Sequence, residues 1–284
     1  MGALWMLVAG LLFACMGVLV KYGATHFSIS ELVFYRSLFG LFILYAMLRR
    51  AKITLSTRHW RNHLWRGLSG TIAMMLFFFC ISVLPLATAI TLNYTSSLFI
   101  SILTVLVLKE KFHLPLSSAL AVGFTGVVLL LHPTLAHDQL LSGLLGLLSG
   151  LLAAVALLNV RHLGHLGEPG TRVVFYFNLI SALISGAWML TGSLHMISLS
   201  DLPLLAAIGA SATFAQLAMT RAYRTGQTLV VGSLAYSTIV FSALFGLVLW
   251  HELLSLSAWL GIALIIASGM LSLRLAPTNT EASK

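Results

Sequence analysis

One arginine lies in a stretch of sequence too apolar to solvate it. Arg36 falls about seven residues into the apolar stretch 31–48, roughly 10 Å from the helix end at a rise of ~1.5 Å per residue. A guanidinium group can bind a carboxylate through two parallel hydrogen bonds, and an ionisable group at that depth is a candidate for function. We interpret Arg36 as a contact for an anionic solute or as part of a gating ion pair. Outward snorkelling or pairing with Glu31 are the structural alternatives.

Polar and aromatic side chains also interrupt other apolar stretches. In lipid surroundings such groups need partners inside the protein, so they are expected to face inward. They can serve as contacts between helices, and a tyrosine repeated on two related helices can line a cavity for an apolar or planar solute. Two clusters and four single residues form this set: residues 93–97, residues 233–238, Asn159, Tyr176, Asn178 and Gln216.

Charged residues at the ends of predicted helices are candidates for gating. Lys21 and Arg161 either anchor helix ends in the membrane interface or attract anions to the two mouths. Glu110 and Glu252 either balance a basic neighbour or close one face by pairing across the mouth. We take Lys21, Glu110 and Glu252 as candidate gating residues.

The sequence holds no motif that predicts an enzyme. It has no hydrolase elbow, zinc-binding HExxH motif, P-loop or CxxC pair. His59 and His63 have the spacing of metal ligands on a helix, but their basic, aromatic segment is typical of a membrane surface. No acidic residue lies near the centre of a predicted helix, so proton coupling through a buried carboxylate is not expected. We therefore expect neither catalysis, nor a cofactor, nor a metal site.

Composition places the chain in a membrane. Of its 284 residues 59% are hydrophobic and 8% are charged, whereas soluble chains carry roughly 25% charged residues. A bilayer-spanning helix needs ~20 mostly apolar residues, and ten such stretches can be placed. We predict an all-α membrane protein with ten transmembrane helices near 3–21, 31–48, 65–84, 86–107, 116–132, 141–160, 172–191, 202–220, 228–250 and 257–274.

Positive charge is confined to alternate loops. The net charge of +9 comes from 16 Lys and Arg against 7 Asp and Glu. Fourteen of these cations fall in one alternating set of loops, and only Lys21 and Arg36 do not. This positive-inside bias puts both termini in the cytoplasm, and it accounts for the charge without a nucleic-acid partner. The fourteen are Arg49, Arg50, Lys52, Arg58, Arg61, Arg66, Lys109, Lys111, Arg161, Arg172, Arg221, Arg224, Arg274 and Lys284.

The sequence is duplicated at an offset of about 141 residues. Residues 33–38 recur at 174–179, and residues 94–110 recur at 236–252. Five helices per copy is an odd number, so the second copy enters the membrane from the opposite side and the repeats are inverted. Inverted repeats give two nearly equivalent states, one open to each side. We place the first repeat at 1–135, the second at 136–275 and a disordered cytoplasmic tail at 276–284.

Several short motifs carry a family resemblance. They are Phe34-Tyr35-Arg36, Arg66-Gly67, Leu84-Pro85-Leu86-Ala87, Tyr94-Thr95-Ser96-Ser97 and Leu108-Lys109-Glu110. In these motifs and in its ten predicted helices the chain resembles the drug/metabolite transporter superfamily, EamA type. The resemblance implies a central cavity lined by helices 1, 3, 4, 6, 8 and 9. The positions expected in that cavity are Tyr94, Ser97, Asn159, Gln216 and Tyr236, beside Arg36 on helix 2.

We expect a secondary transporter of the bacterial inner membrane that works by alternating access. Its partners are a small-molecule metabolite and membrane lipids, and we expect a monomer or weak homodimer. The solute is expected to carry a carboxylate, with amino acids and their derivatives first and S-adenosylmethionine-like or other nucleoside compounds second. A membrane-embedded enzyme is the competing class, but no nucleophile–base pair or paired acid supports it. A channel would need a continuous polar stripe, whereas polarity here concentrates near the midplane.

Overall fold

The computed structural model describes most of the chain, and the described part is helical. The described residues are 2–96, 98–100, 102–103, 118, 121–130, 139–191, 195, 197–225 and 234–275. No strand occurs within them. Their helical segments are α1 (Gly2–Gly23), α2 (Ile29–Arg50), α3 (Trp60–Val83), α4 (Leu86–Tyr94), α5 (Ala121–Leu130), α6 (Leu140–His165), α7 (Gly170–Met189), α8 (Leu202–Thr225), α9 (Ser237–Trp250) and α10 (Leu256–Leu275).

Six helices are long and apolar enough to cross a membrane. They are α1, α2, α3, α6, α7 and α8, each with a long apolar window that contains at most two charged residues. Segments α4, α5 and α9 are shorter apolar helices within the described residues, and the apolar part of α10 covers Leu256–Ser268. The all-helical, membrane-type fold is confirmed. That all ten segments cross the membrane, and that the repeats are inverted, stay predictions.

Each of two predicted helices is interrupted by a single turn residue. In the stretch predicted over 86–107, Thr95 is a turn residue between Tyr94 and helical Ser96, with φ −61° and ψ −10°. In the stretch predicted over 228–250, Tyr236 is a turn residue between Ala235 and α9, with φ −66° and ψ −12°. The duplication matches Tyr236 to Tyr94, so the two turn residues lie one position apart in the repeat.

Hydroxyl groups and a tighter hydrogen-bond pattern explain these turns. The Thr95 hydroxyl donates to the Leu92 carbonyl at 2.6 Å, and the Thr238 hydroxyl donates to the Ala235 carbonyl at 2.9 Å. A side-chain donor of this kind competes with the backbone ladder of the helix. The backbone carbonyls of both turn residues accept from the amide three residues later, at 2.9 and 3.0 Å, as in a 3₁₀ turn.

The helices pack mainly across the two halves of the chain. Helix α1 lies chiefly against α8, α3 against α6, and α2 against α7. The 141-residue offset relates α1 to α6 and α3 to α8, so the α1–α8 and α3–α6 contacts are equivalent. The main buried core contains residues of both halves. Among them are Phe78 and Ile90 of the first half and Ile208 and Ile239 of the second.

Small residues permit the closest of these approaches. A Cβ atom on Gly146 would lie 2.7 Å from the Leu92 side chain, and one on Gly150 would lie 2.8 Å from the Leu92 carbonyl oxygen. Helix α6 therefore crosses α4 beside the turn at Thr95. The Gly146-x-x-x-Gly150 spacing thus permits close helix packing.

Candidate functional site

The candidate site extends between the two ends of the helix bundle. One end, here called the Glu252 end, holds the C-terminus of α1, the α3–α4 turn and the residues after α9. The opposite end, here called the Glu168 end, holds the α2–α3 and α6–α7 connections. Buried arginine and tyrosine side chains lie between them.

A reversed turn after α9 positions the Glu252 carboxylate. His251 adopts the left-handed conformation with φ 53°, and the Glu252 amide donates to the Gly246 carbonyl at 3.1 Å. This arrangement folds the Glu252 side chain back along α9. A Cβ atom on Gly246 would lie 2.6 Å from Glu252 Oε2, so the carboxylate reaches its place because residue 246 has no side chain.

Lys21 and Glu252 form an ion pair across the two halves of the chain. Lys21 Nζ bonds Glu252 Oε1 and donates to the Leu84 carbonyl at 2.8 Å. The Leu86 amide donates to Glu252 Oε2 at 2.8 Å, and the Trp250 ring lies 5.4 Å from Lys21 Nζ. These contacts tie α1, the α3–α4 turn and the end of α9 together. Two of the three candidate gating residues therefore meet; Glu110 lies outside the described residues.

The predicted pairing of Arg36 with Glu31 is wrong. Glu31 caps α2: its Oε2 accepts from the Ser28 amide at 2.8 Å and from His195 Nδ1 at 2.9 Å. Glu31 Oε1 accepts from the His195 amide, also at 2.9 Å. The carboxylate is thus fully engaged at the Glu252 end, and a contact with the loop after α7 replaces the expected contact within α2.

Arg36 instead lies in the protein interior against an aromatic ring. It is 5% exposed, so outward snorkelling is also wrong. Its guanidinium carbon lies 5.8 Å from the centre of the Phe177 ring, within the range of a cation–π contact. Phe177 is the residue that the duplication matches to Arg36. Arg36 Nε and Nη1 are buried and find no hydrogen-bond partner among the described residues.

A second arginine, which is half-buried and was not predicted from the sequence, shares the same ring. The guanidinium carbon of Arg66 lies 4.2 Å from the Phe177 ring centre, and Arg66 Nε and Nη1 also lack a partner in the described part of the chain. Arg66 falls among the predicted loop cations because the apolar stretch of helix 3 begins near 65. Helix α3 begins at Trp60, which places Arg66 more than a turn inside it. The Arg66-Gly67 motif was the available signal.

The two repeated tyrosines are brought together. The rings of Tyr94 and Tyr236 have centres 5.8 Å apart, and the Tyr94 hydroxyl donates to Thr238 Oγ1 at 2.8 Å. Both tyrosines flank the interrupted helices, where α4 and α9 meet. Beside them Asn93 Nδ2 donates to Ser149 Oγ of α6 at 2.8 Å.

The remaining predicted contacts are dispersed. Asn159 Nδ2 donates to the Val155 carbonyl of its own helix at 3.0 Å. Gln216 lines a small cavity between α2, α7 and α8 with Leu44 and Thr213. Ser97 lies outside the described residues. The structure therefore joins Tyr94 with Tyr236 and Lys21 with Glu252, while Asn159 and Gln216 lie in other surroundings.

The Glu168 end carries its own network. The Glu168 carboxylate accepts from the Thr57 hydroxyl and, at 2.9 Å, from Arg172 Nη1. The buried His63 has Nε2 at 3.5 Å from Glu168 and its ring 4.6 Å from that of Tyr176, so its segment is not wholly a surface segment as expected. Burial alone would raise the pKa of Glu168, but hydrogen bonds and the Arg172 charge hold it below its ordinary value.

Membrane-length apolar helices packed across two halves, with charged contacts at both ends, define a multi-pass helical membrane protein. The family of this protein follows from comparison with known proteins. The model of the EamA-like transporter family matches residues 1–132 and 140–274. The chain belongs to this family, and the predicted membership of the drug/metabolite transporter superfamily is confirmed.

Named relatives of the chain are transporters. The pseudopaline exporter CntI of Pseudomonas aeruginosa is 30% identical, over 95% of this chain and 92% of that protein. The riboflavin transporter of Vibrio cholerae is 28% identical, over 94% and 91% of the two chains. The S-adenosylmethionine uptake transporter of Rickettsia prowazekii is 24% identical, over 93% and 90%. The chain is thus similar to both exporters and uptake transporters.

Proposed function

We propose that this membrane transporter is a secondary carrier that moves a small carboxylate-bearing metabolite by alternating access. The observation that carries the proposal is Arg36. Its positive charge is buried, and its Nε and Nη1 atoms lack a hydrogen-bond partner among the described residues. Leaving such a group unsatisfied is costly, whereas a carboxylate would supply both charge and acceptors. Amino acids and their derivatives are the first solutes to test.

The contact between Lys21 and Glu252 supports alternating access. It joins residues of both halves at one end of the bundle and also engages the backbone of Leu84 and Leu86. A carrier needs such an end contact to close one mouth while the other is open. We therefore assign Lys21 and Glu252 as gating residues, and Glu110 is assigned by its equivalent sequence position alone.

We infer the orientation of the protein in the membrane from the distribution of its cations. The loops at the Glu168 end carry Arg and Lys residues, which positive-inside bias assigns to the cytoplasm. The Glu252 end then faces outward, both termini are cytoplasmic, and the bacterial inner membrane is the location. In this proposal the contact between Lys21 and Glu252 closes the outer mouth.

Duplication supports the inverted arrangement. The family model matches both halves, the α1–α8 and α3–α6 contacts are equivalent, and the turns at Thr95 and Tyr236 lie within one position of each other in the repeat.

A nucleoside-type solute is the second candidate, and the tyrosine pair favours it. Aromatic rings can stack on a planar base, and Tyr94 and Tyr236 lie together beside the interrupted helices. A relative named for S-adenosylmethionine uptake agrees with this alternative. An S-adenosylmethionine-like solute also carries a carboxylate, so it could use Arg36 and the tyrosines together.

Solute binding to purified protein tests the charge requirement. A metabolite screen by thermal shift identifies binders, because a ligand at 100 times its Kd adds ~2.7 kcal/mol of stability. Each carboxylate that binds is then compared with its neutral amide. Arg36→Leu should raise the Kd of the acid about 10- to 100-fold, the loss of one charged hydrogen-bonding contact. Arg36→Lys should retain part of the affinity, because lysine keeps the charge but not the planar fork.

Arg49→Leu is the matched control, because Arg49 is an exposed cation at the far end of the same helix. It should leave the preference for the acid unchanged. Uptake of the same solutes into proteoliposomes then measures transport. If Arg36→Leu weakens the acid and its amide equally, Arg36 is a gate or packing element and the anionic-solute proposal is rejected.

A further inference from the structure

The pair of arginines on Phe177 has no counter-charge in the described part of the chain. Arg36 and Arg66 lie 5.8 Å and 4.2 Å from the centre of one ring. Two cations that share a ring repel each other, and the repulsion is strong where water is excluded. An aromatic ring offsets only part of this repulsion. A stable arrangement therefore calls for negative charge from elsewhere.

The acidic residues that the structure describes are all engaged with other groups. Glu31 bonds His195, Glu168 bonds Arg172, Glu252 bonds Lys21, and Asp201 accepts from the Ser198 amide at 2.9 Å. None of these four acids pairs with Arg36 or Arg66. Within the described residues, the two guanidinium groups remain two uncompensated positive charges.

The chain makes room for the second guanidinium group. A Cβ atom on Gly70 would lie 2.1 Å from Arg66 Nη1 and 2.9 Å from the Phe177 ring. Any side chain at this position would displace Arg66 from the ring. The absence of a side chain one turn after Arg66 thus lets its guanidinium fold against α3 and face the same ring as Arg36.

We propose that the Arg36–Phe177–Arg66 cluster binds a solute through two separate negative charges, one at each guanidinium. The inference rests on the proposed carrier function and narrows its substrate class from carboxylates to dianions. Each arginine has two buried nitrogen atoms, Nε and Nη1, without a partner in the described residues, and an anionic group at each guanidinium would supply acceptors for them. Dicarboxylates and carboxylates that also carry a phosphate share this chemistry.

Paired solutes measured on the purified full-length protein test the proposal. In one arm, glutarate, succinate and glutamate are compared with their monoamides. In the other arm, phosphoglycerate is compared with glycerate. The wild-type Kd of the preferred dianion should be at least tenfold lower than that of its monoamide or alcohol. Arg66→Gln should abolish that preference while the remaining anionic group still binds, because Arg36 is intact.

Arg61→Gln is the matched control on the same helix, since Arg61 is exposed at the start of α3 and stacks on Trp60. It should leave the dianion preference intact. Arg66→Lys should restore part of the preference if charge is what matters. The unliganded thermal midpoint of each variant reports folding, and removal of a buried charge is not expected to lower it.

Equal affinity for diacid and monoamide in wild type, with no binding of the phosphate ester, overturns the proposal. So does a dianion preference that survives Arg66→Gln. Either result leaves the carrier function standing if Arg36→Leu still discriminates acid from amide. Loss of all acid selectivity in wild type would instead reject the proposed function itself.

Discussion

At the scale of single residues, Glu168 shows how a loop carboxylate fixes one end of the bundle. It lies between α6 and α7 and accepts hydrogen bonds from Thr57 of the α2–α3 loop and from Arg172 of α7. Arg172 Nε in turn donates to the Thr54 carbonyl at 2.9 Å. One carboxylate thus connects the two halves, and its contribution depends on its ionisation.

Stability should therefore fall in acid. The pKa of Glu168 is held below the ordinary value of 4.5, so its stabilisation is fully present above that value and is lost as pH falls through the lowered pKa. Glu168→Gln should lower the thermal midpoint at pH 7, and the difference from wild type should shrink below about pH 4. Thermal unfolding between pH 7 and pH 3 measures this.

Asp201→Asn is a suitable control, because Asp201 is an acid at the opposite end that bonds only its own loop in the described contacts. It should not reproduce the pH-dependent difference. A Glu168→Gln effect of constant size across the whole pH range would show that ionisation of Glu168 does not contribute.

At the scale of helices, Gly246 couples the end of α9 to the contact between Lys21 and Glu252. A side chain there would collide with Glu252, 2.6 Å from its Oε2 atom, and Glu252 holds Lys21 and the Leu86 amide. A substitution of Gly246 should therefore change stability through its effect on the Glu252 carboxylate rather than through helix propensity.

Gly246→Ala should lower the thermal midpoint, although alanine normally favours a helix by about 0.5–1 kcal/mol over glycine. In a Glu252→Ala background the same substitution should be close to neutral, because the colliding group is gone. The difference between the backgrounds should correspond to a coupling of about 0.5–3 kcal/mol. Gly164→Ala is the control, since its Cβ would meet nothing within 4 Å. An equal loss in both backgrounds would contradict the coupling.

The sequence predicted these helices better than it predicted their partners. Apolar periodicity is local, so the long helices were placed within a few residues, and the buried position of Arg36 followed from its depth in one of them. The start of α3 was placed five residues late because residues 57–66 are basic enough to be typical of a membrane surface. Arg66 contacts the ring of Phe177, 111 positions away, and Glu31 is bound by His195, 164 positions away. Single-sequence patterns carry no information on such contacts.

At the scale of the whole molecule, the proposed topology predicts which loops face each compartment. Ser56 and Ser200 are both exposed, and they lie at the Glu168 and Glu252 ends respectively. In a background with Cys15→Ala and Cys80→Ala, Ser56→Cys should react with a membrane-impermeant thiol reagent only after the cells are opened. Ser200→Cys should react in intact cells. The reverse pattern would overturn the orientation and the assignment of the outer mouth.

The cross-half packing also has a consequence for how the protein is made. Helix α1 finds its main partner in α8, which begins about 200 residues later in the chain, or roughly 10–40 s of synthesis at ~5–20 residues per second. Until then α1 has only its smaller contacts with α3 and α4, so it must persist in the bilayer largely as a separate helix, as the first stage of two-stage membrane folding allows. Of the six membrane-length helices in the described residues, α1 has the highest mean hydropathy, 2.5. The helix that is longest without its main partner during synthesis is thus also the most apolar of the six.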